Sequence, residues 1–419
     1  MHLRHRTTCR VCGSSALTRV IDLGDQYLQG SFVKPGKEEP SRRKIPTALV
    51  HCDPMRDEQA CGLLQMEYSV PPAILYAAYW YRSGTNQTMR SHLKTIVDDI
   101  QSMKPLSTGR VLDIGCNDGT LLFLYPKGVQ KFGVDPSDVA GEVGDGITVI
   151  QDLFPTPLLS DVAGDKPFDV VTSIAMFYDL EDPVAFARNV RDVLAPDGLW
   201  VFEMSYLPSM LRQNSYDTIC HEHLEYYTLA VVENILRRID MKVVRASLNS
   251  INGGSIRCFA AHAANRAFDS SVHRRELQGL QQSEFDLALD TSAPYTGFQR
   301  RIEEERDKLR ALLLDLKAKG KRIHVYGAST KGNTLLQWCG IDSTIVECAA
   351  DRNPDKHGAF TLGTGIPIVS EEQSRSKKPD YYLVLPWHFK AEFLQREKAS
   401  LDQGTKFIFP LPNIEIVGA

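Results

Sequence analysis

Arg110-Val-Leu-Asp-Ile-Gly-Cys-Asn-Asp-Gly-Thr-Leu-Leu122 decides the fold of this chain. The apolar run Val111 to Ile114, interrupted by Asp113, gives way to a polar turn bracketed by Gly115 and Gly119, and Thr120-Leu-Leu122 resumes a helical pattern. This reads as a buried strand, a tight glycine loop and a helix start, with glycine letting the backbone approach a ligand closely. About a dozen residues further on, Lys131-Phe-Gly-Val-Asp-Pro136 is a second short strand ending in an acid, where a carboxylate can accept both hydroxyls of a ribose.

A glycine loop after a first strand also belongs to dinucleotide-binding folds, which aim Gly-x-Gly-x-x-Gly at a pyrophosphate. Here the run is Asp113-Ile-Gly-Cys-Asn-Asp-Gly119, with acids beside the loop. Negative charge repels phosphate and suits a sulfonium and an ammonium group. The pair of motifs resembles the cofactor site of class I S-adenosylmethionine methyltransferases. Further along, Ile147 to Ile150 reads as a third strand, and Asp152 just beyond it could meet the adenine amino group beside Leu153. Phe168 to Ile174 is a fourth strand, Pro183 to Leu194 a helix, and Pro196-Asp-Gly198 a turn into Leu199-Trp-Val-Phe-Glu203. That order is the doubly wound α/β one, whose ligands bind beyond the carboxyl ends of the strands. Cofactor contacts are expected from Asp113, Gly115, Asn117, Asp135, Asp152 and Leu153.

With 419 residues the chain exceeds a single ordinary core, so two or three domains are expected. A net charge of -4 argues against general nucleic-acid or membrane affinity. No apolar stretch reaches membrane-spanning length, and Met1-His-Leu-Arg-His-Arg6 lacks the apolar centre of a signal peptide, so the cytoplasm is the expected location. In a reducing compartment, clustered cysteines favour metal over disulfides. Cys9-x-x-Cys12-Gly13 has the form of a knuckle turn, and Cys52-x8-Cys61-Gly62 supplies a looser second half. Four thiolates would complete a closed structural zinc site, with His51 as a competing ligand. The redox reading of Cys9 and Cys12 needs a thioredoxin-like context that the flanking sequence does not offer. Such a small segment depends on metal for its fold, and nothing in its spacing requires it to touch the chemistry.

Four aromatics, Tyr76, Tyr79, Trp80 and Tyr81, crowd the stretch before Arg82-Ser-Gly84, which suits either a core cluster or a cap over a polar cavity. Between the fifth strand and the last hairpin lies Tyr216-Asp-Thr-Ile-Cys-His-Glu-His-Leu-Glu-Tyr-Tyr227. His221 and His223 cannot both ligate a metal from a helix, because residues two apart point to different sides. One histidine as proton acceptor, oriented by an acid and tyrosine hydroxyls, is the better reading. Ser250-Ile-Asn-Gly-Gly-Ser255 fits a hairpin turn as well as a binding loop. The charged stretch from about Arg266 to Lys319 looks like a solvated helical connector. Then Arg322-Ile-His-Val-Tyr-Gly-Ala-Ser-Thr-Lys-Gly-Asn333 is again strand, small-residue loop and helix, and Ile345 to Asp351 is again strand plus acid. Its Ser329, Thr330 and Lys331 suit an anionic phosphate.

Taken in order, Cys-x-x-Cys with Cys-x8-Cys-Gly, Tyr-Trp-Tyr-Arg-Ser-Gly, Asp-Ile-Gly-Cys-Asn-Asp-Gly, His-Glu-His, Asn-Gly-Gly-Ser and Tyr-Gly-Ala-Ser-Thr-Lys-Gly-Asn together resemble the sugar C-methyltransferases of deoxysugar biosynthesis. The resemblance covers essentially the whole chain. It implies a zinc module over residues 1–70, a methyltransferase domain over 71–265, a helical connector over 266–310 and a Rossmann-like sugar-nucleotide domain over 311–419. It further implies S-adenosylmethionine and structural zinc held by Cys9, Cys12, Cys52 and Cys61, and a nucleotide-linked 4-keto-6-deoxy sugar, usually the thymidine diphosphate one. His223 would be the base that forms an enolate, with Glu222 and Tyr79 or Tyr81 placing the sugar oxygens. Asn252, Gly254, Ser255, Tyr326, Ser329, Thr330, Lys331 and Asn333 would hold the sugar nucleotide. Methylation at carbon 3 is the main expectation, carbon 5 is the alternative, and an RNA methyltransferase is a third reading that the acidic charge disfavours. A monomer that binds neither nucleic acid nor membrane is expected. Many family members carry Tyr before His-Glu-His where this chain has Cys220, so Tyr178 or Tyr226 would have to supply that hydroxyl.

Overall fold

The computed structural model describes residues 3–37, 40–75 and 82–418. Tyr79 and Tyr81, expected at the catalytic centre, lie outside the described residues. The central unit is a seven-stranded sheet in the order Met241–Asn249, Ser255–His262, Leu194–Ser205, Phe168–Ile174, Gly109–Ile114, Val129–Val134, Thr148–Ile150. Only Ser255–His262 runs antiparallel to its neighbours. The first strand in sequence lies in the interior, and the chain builds outward to one side and then to the other. The crevice this leaves lies at the carboxyl ends, beside Asp113, Asp135 and Glu203. The third strand is shorter than its sequence indicates, Thr148–Ile150, and the fifth begins early, because Leu194 already pairs with Phe168 before the Pro196-Asp-Gly198 excursion.

Helix Gln87–Met103 covers one face of this sheet. Asn86 caps it by accepting from the Thr88 amide, and Met89, His92, Leu93, Ile96, Val97 and Ile100 recur at helical spacing on its buried side.

A second α/β sheet repeats the scheme at the carboxyl-terminal end in the order Ile368–Ser370, Ala349–Asp351, Ile323–Tyr326, Tyr381–Val384, Lys406–Phe409, Glu415–Val417. All pairings are parallel except the last. The charged stretch ahead of it is more than a solvated connector. Helix Ala293–Ala318 runs unbroken across position 310 and buries Tyr295, Phe298, Ile302, Leu309, Leu313 and Leu316 in the same core as this sheet. Each such side chain contributes about 1.5–3 kcal/mol on burial, which exceeds what the exposed charge pairs on its outer face can add.

The amino-terminal unit is a four-stranded antiparallel sheet, and one of its strands comes from elsewhere in the chain. Its order is Glu225–Tyr226, Leu64–Met66, Ile45–Cys52, Leu17–Gln26, so the two residues that end the His-Glu-His stretch form its edge. Phe32–Val33 pairs in turn with Phe360–Thr361 of the carboxyl-terminal unit. Ile21, Leu49, Leu64, Tyr216, Leu224, Phe298, Val325 and Leu336 belong to one continuous core. The sequence places no chemistry beside the amino-terminal module, whereas the structure seats the candidate base on it. No helix among the described residues is long and apolar enough to cross a membrane.

Candidate functional site

A cavity of about 600 Å³ lies between the carboxyl ends of the two α/β sheets and is closed by the His-Glu-His turn. That volume is right for a small ligand with a partner molecule. One end is acidic. After Ile114 the backbone turns through Gly115 at φ 78° and Asn117 at φ 50°, a conformation that glycine adopts without strain and asparagine tolerates. The Asp135 carboxylate fixes this loop by accepting the Asn117 amide at 2.8 Å through one oxygen and the Ser137 amide at 2.8 Å through the other. Asp113 is buried and accepts the Thr172 hydroxyl at 2.6 Å. Asp152 accepts the Leu153 amide and is held below the usual carboxylate range by hydrogen bonds from Thr156 and Leu153. All six residues expected to hold the cofactor, Asp113, Gly115, Asn117, Asp135, Asp152 and Leu153, line the cavity, together with Glu203.

These residues fit S-adenosylmethionine. Buried carboxylates with few competing cations complement a sulfonium and an ammonium, and a Cβ at Gly115 would come within 3.2 Å of Met176 Cγ, so the backbone itself forms the cradle. Burial pushes the Asp113 carboxyl up to about 7, the Thr172 hydrogen bond opposing and the nearby Asp135 charge adding to the shift. Only the ionised carboxyl attracts the cationic cofactor. Affinity should therefore be flat above pH 7 and weaken as pH falls, by up to about tenfold per unit, as a proton must first be displaced. Calorimetry between pH 5.5 and 8.5 checks this, and Asp113→Asn should abolish the slope; a flat wild-type profile would exclude Asp113 from the cofactor site.

The other end is built from the turn. His221, Glu222 and His223 lie in a non-helical bend closed by the His223 amide donating to the Cys220 carbonyl at 3.1 Å, and the three side chains reach three different parts of the molecule. The buried His221 ring meets Thr47 Oγ1 of the amino-terminal sheet at 3.2 Å. Burial lowers its pKa to about 4, so it is neutral. Glu222 bonds to Thr330 of the carboxyl-terminal domain; desolvation raises its carboxyl to about 7 against that bond. Its path requires Gly30, where a Cβ would stand 1.8 Å from Glu222 Oε1. His223 lines the cavity and its Nδ1 is 2.8 Å from the Thr218 carbonyl oxygen. A carbonyl can only accept, so Nδ1 carries the proton and Nε2 keeps its lone pair. Desolvation first, and the Lys331 cation second, hold His223 down to about 3, which keeps it neutral.

Tyr178 packs edge-on against His223, with ring centroids 4.4 Å apart, and lines the cavity. Tyr226 is buried, its hydroxyl donating to the Thr218 carbonyl at 3.4 Å. Cys220 is fully buried in the core. Of the two tyrosines that could replace a missing hydroxyl at position 220, Tyr178 lines the cavity with His223 and Tyr226 does not. Ser83 and Gly84, which follow the aromatic stretch, donate backbone amides to Asn117 Oδ1 at 2.9 Å and Asp118 Oδ2 at 2.6 Å, so their segment is tied to the cofactor loop.

The far wall comes from the carboxyl-terminal domain. Asn252, Tyr326, Ser329, Thr330 and Lys331 line the cavity. The Ser329 hydroxyl also caps helix Thr330–Trp338 by accepting from the Gly332 amide at 3.0 Å. The Tyr326 hydroxyl donates to Glu397 at 2.7 Å and accepts from Arg396 at 2.8 Å, so it is held within the protein. Gly254, Ser255 and Asn333 stand outside the lining. Gly254, at φ 109°, is a close approach to Ser209; Ser255 donates to the Ile251 carbonyl at 3.0 Å; and Asn333 donates to the Gln29 carbonyl at 2.6 Å, joining the amino- and carboxyl-terminal units. Sequence reasoning missed Asp217, Trp387 and His388, and the basic residues Arg352, Lys356 and Arg396 of the lining. Their signal was positional, since Trp387 and His388 come after Leu385-Pro386 at the carboxyl end of the strand Tyr381–Val384.

Cys9, Cys12, Cys52 and Cys61 come together with their sulfur atoms all within 4.8 Å of one another, and the pairs Cys9–Cys61 and Cys12–Cys52 at 3.5 and 3.4 Å. A tetrahedral zinc with sulfur at about 2.3 Å has sulfur–sulfur edges of about 3.8 Å, so the donor set fits the ion. His51 stays out of this cluster, its ring tilted at 44° against Tyr295 with centroids 4.9 Å apart. From this knuckle the Arg10 guanidinium reaches Gln65 Oε1 at 3.0 Å, the Met66 carbonyl at 2.9 Å and Ser69 at 2.8 Å, with Glu225 3.6 Å from its Nε. The Met66 amide donates to the Leu224 carbonyl, and the Leu224 amide to the Tyr178 carbonyl, at 2.8 and 2.7 Å. The zinc module is thus linked by consecutive hydrogen bonds to Leu224 and Tyr178, both neighbours of His223.

Comparison with known proteins agrees along the length of the chain. Residues 9–76 match the model described as "Putative zinc binding domain", residues 86–246 that described as "Methyltransferase domain", and residues 250–412 that described as "C-methyltransferase C-terminal domain". The C-methyltransferase NovU of Streptomyces niveus is 30% identical over 416 residues, covering 98% of this chain and 97% of that protein. A ubiquinone biosynthesis O-methyltransferase of Neisseria meningitidis serogroup C is 28% identical over 132 residues, 30% of this chain and 56% of that protein. Among solved structures, the magnesium protoporphyrin IX methyltransferase of Synechocystis PCC 6803 is similar at 17% identity, with a TM-score of 0.34, over 44% of this chain and 90% of that one.

Proposed function

As the chain belongs to the family of S-adenosylmethionine-dependent C-methyltransferases, we propose that it methylates carbon 3 of a nucleotide-linked 4-keto-6-deoxy sugar, thymidine diphosphate being the carrier, through an enolate. The observation that carries this reading is the neutral His223, its Nδ1 proton committed to Thr218, in a cavity whose opposite end is acidic. A carbon beside a ketone is acidic enough for such a base. His223 Nε2 takes the proton at carbon 3, the C–H pair becomes the C=C bond, and the carbonyl π pair moves to oxygen. The bound cofactor supplies a sulfonium methyl as the electrophile for that carbon. Glu222, raised to about 7 and held by Thr330, donates to or accepts from a sugar hydroxyl, and Tyr178 orients the imidazole. Tyr79 or Tyr81 adds a further hydroxyl. The nucleotide lies along the carboxyl-terminal wall, where Ser329 and the backbone amides of its helix start meet phosphate oxygens, with Arg352 and Lys356 on the same lining.

The test is a mass-spectrometric assay in heavy water with S-adenosylmethionine and thymidine diphosphate-4-keto-6-deoxyglucose or its 2-deoxy relative. Deuterium entering beside the ketone, with a gain of one methyl on the sugar, is expected, and magnetic resonance of the product names the carbon; a methyl on carbon 5 would correct the position. Neither exchange nor methylation over a panel of ketosugars would overturn the substrate class.

A further inference from the structure

Lys331 differs from its neighbours on the carboxyl-terminal wall. It stands at the second position of helix Thr330–Trp338 and its Nζ donates to the Asn252 carbonyl at 2.9 Å. That carbonyl is presented by a residue in the left-handed region, at φ 56°, and lies in the loop between the last two strands of the methyltransferase sheet. The ammonium carries three N–H bonds, and this contact uses one. Asp217 is the acid whose charge acts on it. That carboxylate is buried, accepts the Trp387 indole N–H at 2.9 Å through Oδ2, and has no hydrogen-bond partner at Oδ1. The Lys331 charge is felt by both His223 and His388, which share its cavity wall. Thr330, next in the chain, holds Glu222. One buried carboxyl group, Asp217, and the base therefore act on Lys331 within the cavity wall, a poor setting for a phosphate and a good one for a single developing negative charge. Arg352, Lys356 and Arg396 remain on the lining to meet the diphosphate.

We propose that Lys331 is a catalytic residue, donating an N–H hydrogen bond to the C-4 oxygen of the ketosugar and stabilising the enolate that His223 creates. The proposal rests on the ketosugar reading above. As the proton leaves for Nε2, the oxygen gains the carbonyl electron pair opposite a fixed cation; when the carbon takes the methyl, the broken S–C bond would leave its pair on the sulfur of S-adenosylhomocysteine, the oxygen's pair returns and the carbonyl reforms. Lys331 transfers no proton at any step. The carboxyl-terminal domain would then supply half of the enolate-forming machinery in addition to its nucleotide wall.

The experiment compares Lys331→Met and Lys331→Gln with the wild type in two measurements. One is the rate of solvent deuterium entry into saturating thymidine diphosphate-4-keto-6-deoxyglucose with S-adenosylhomocysteine bound; the other is the calorimetric Kd of thymidine diphosphate. The expected result for Met is exchange slowed by about 10²–10³-fold, the cost of one oxyanion donor, with the nucleotide Kd within about threefold and a smaller loss for Gln, which keeps neutral donors. S-adenosylhomocysteine affinity reports folding; if Met loses it, Gln, with its polar head, carries the comparison. A nucleotide Kd weakened at least tenfold with saturated exchange unchanged would make Lys331 a phosphate ligand and overturn the proposal, as would no change in either. Absence of exchange in the wild type would instead overturn the ketosugar reading and the proposal with it.

Discussion

His223→Asn is expected to lower turnover by about 10²–10⁴-fold, the range for loss of a general base, while S-adenosylmethionine affinity stays within about twofold. Asparagine keeps a side-chain N–H that can reach the Thr218 carbonyl, so the turn should retain its shape and lose only the basic lone pair. The cofactor end rests on other elements: Asp113 on Thr172, and Asp135 on the Asn117 and Ser137 amides. None of these touches the turn. Steady-state kinetics, deuterium exchange and cofactor calorimetry on the purified variant check both halves. Unchanged turnover would remove His223 as the base, and a matching loss of cofactor affinity would assign it to binding.

Removing zinc should be as severe by a different route. Structural zinc supplies about 10–16 kcal/mol to small modules, comparable with the whole stability of a domain, about 5–15 kcal/mol. Chelation, or Cys12→Ser, should therefore disorder the amino-terminal sheet. Because Glu225–Tyr226 is its edge strand and Leu224 is bonded to both Met66 and Tyr178, the base should lose its position at the same time. Turnover is expected to vanish and S-adenosylmethionine binding to weaken without being lost, since helix Gln87–Met103 covers one face of the seven-stranded sheet without the cysteines, whereas Cys9 and Cys52 pack in the core on its other face with Leu112, Ile114 and Val134. Hydrogen exchange should rise together over residues 45–66 and 221–226. Full turnover in quantitatively demetallated protein would confine the metal to the amino-terminal sheet alone.

Local patterns made much of this architecture legible. The strand, glycine loop and acid at Val111–Asp135 announce themselves twice, because close backbone approach to a ligand demands the same residues in each α/β sheet. The four cysteines were legible because thiolates at knuckle spacing have few alternative uses. What the sequence hid was long-range. The pairing of Glu225 with Gln65 leaves no periodicity over two residues, so nothing local tied the zinc module to the base. In helix Ala293–Ala318 the inward stripe of Phe298, Ile302 and Leu309 is diluted by the charged run Arg300 to Arg310 and by Glu305, itself inside, so the segment read as solvated. Lys331 was read as a cation for a phosphate, and only the fold shows that it meets the Asn252 carbonyl on a wall that it shares with His223. Asn333, by contrast, belongs to a sequence motif and serves to join two units, a role that its residue type could not distinguish from binding.

The turn at His221–His223 has neighbours in the amino-terminal sheet at Thr47, in the carboxyl-terminal domain at Thr330 and in the cofactor cavity. It can therefore acquire its working shape only after the last of them is complete. During synthesis the methyltransferase sheet emerges well before the strands at Tyr381–Val384 and Lys406–Phe409, so the far wall of the cavity is the last part of the site to be made.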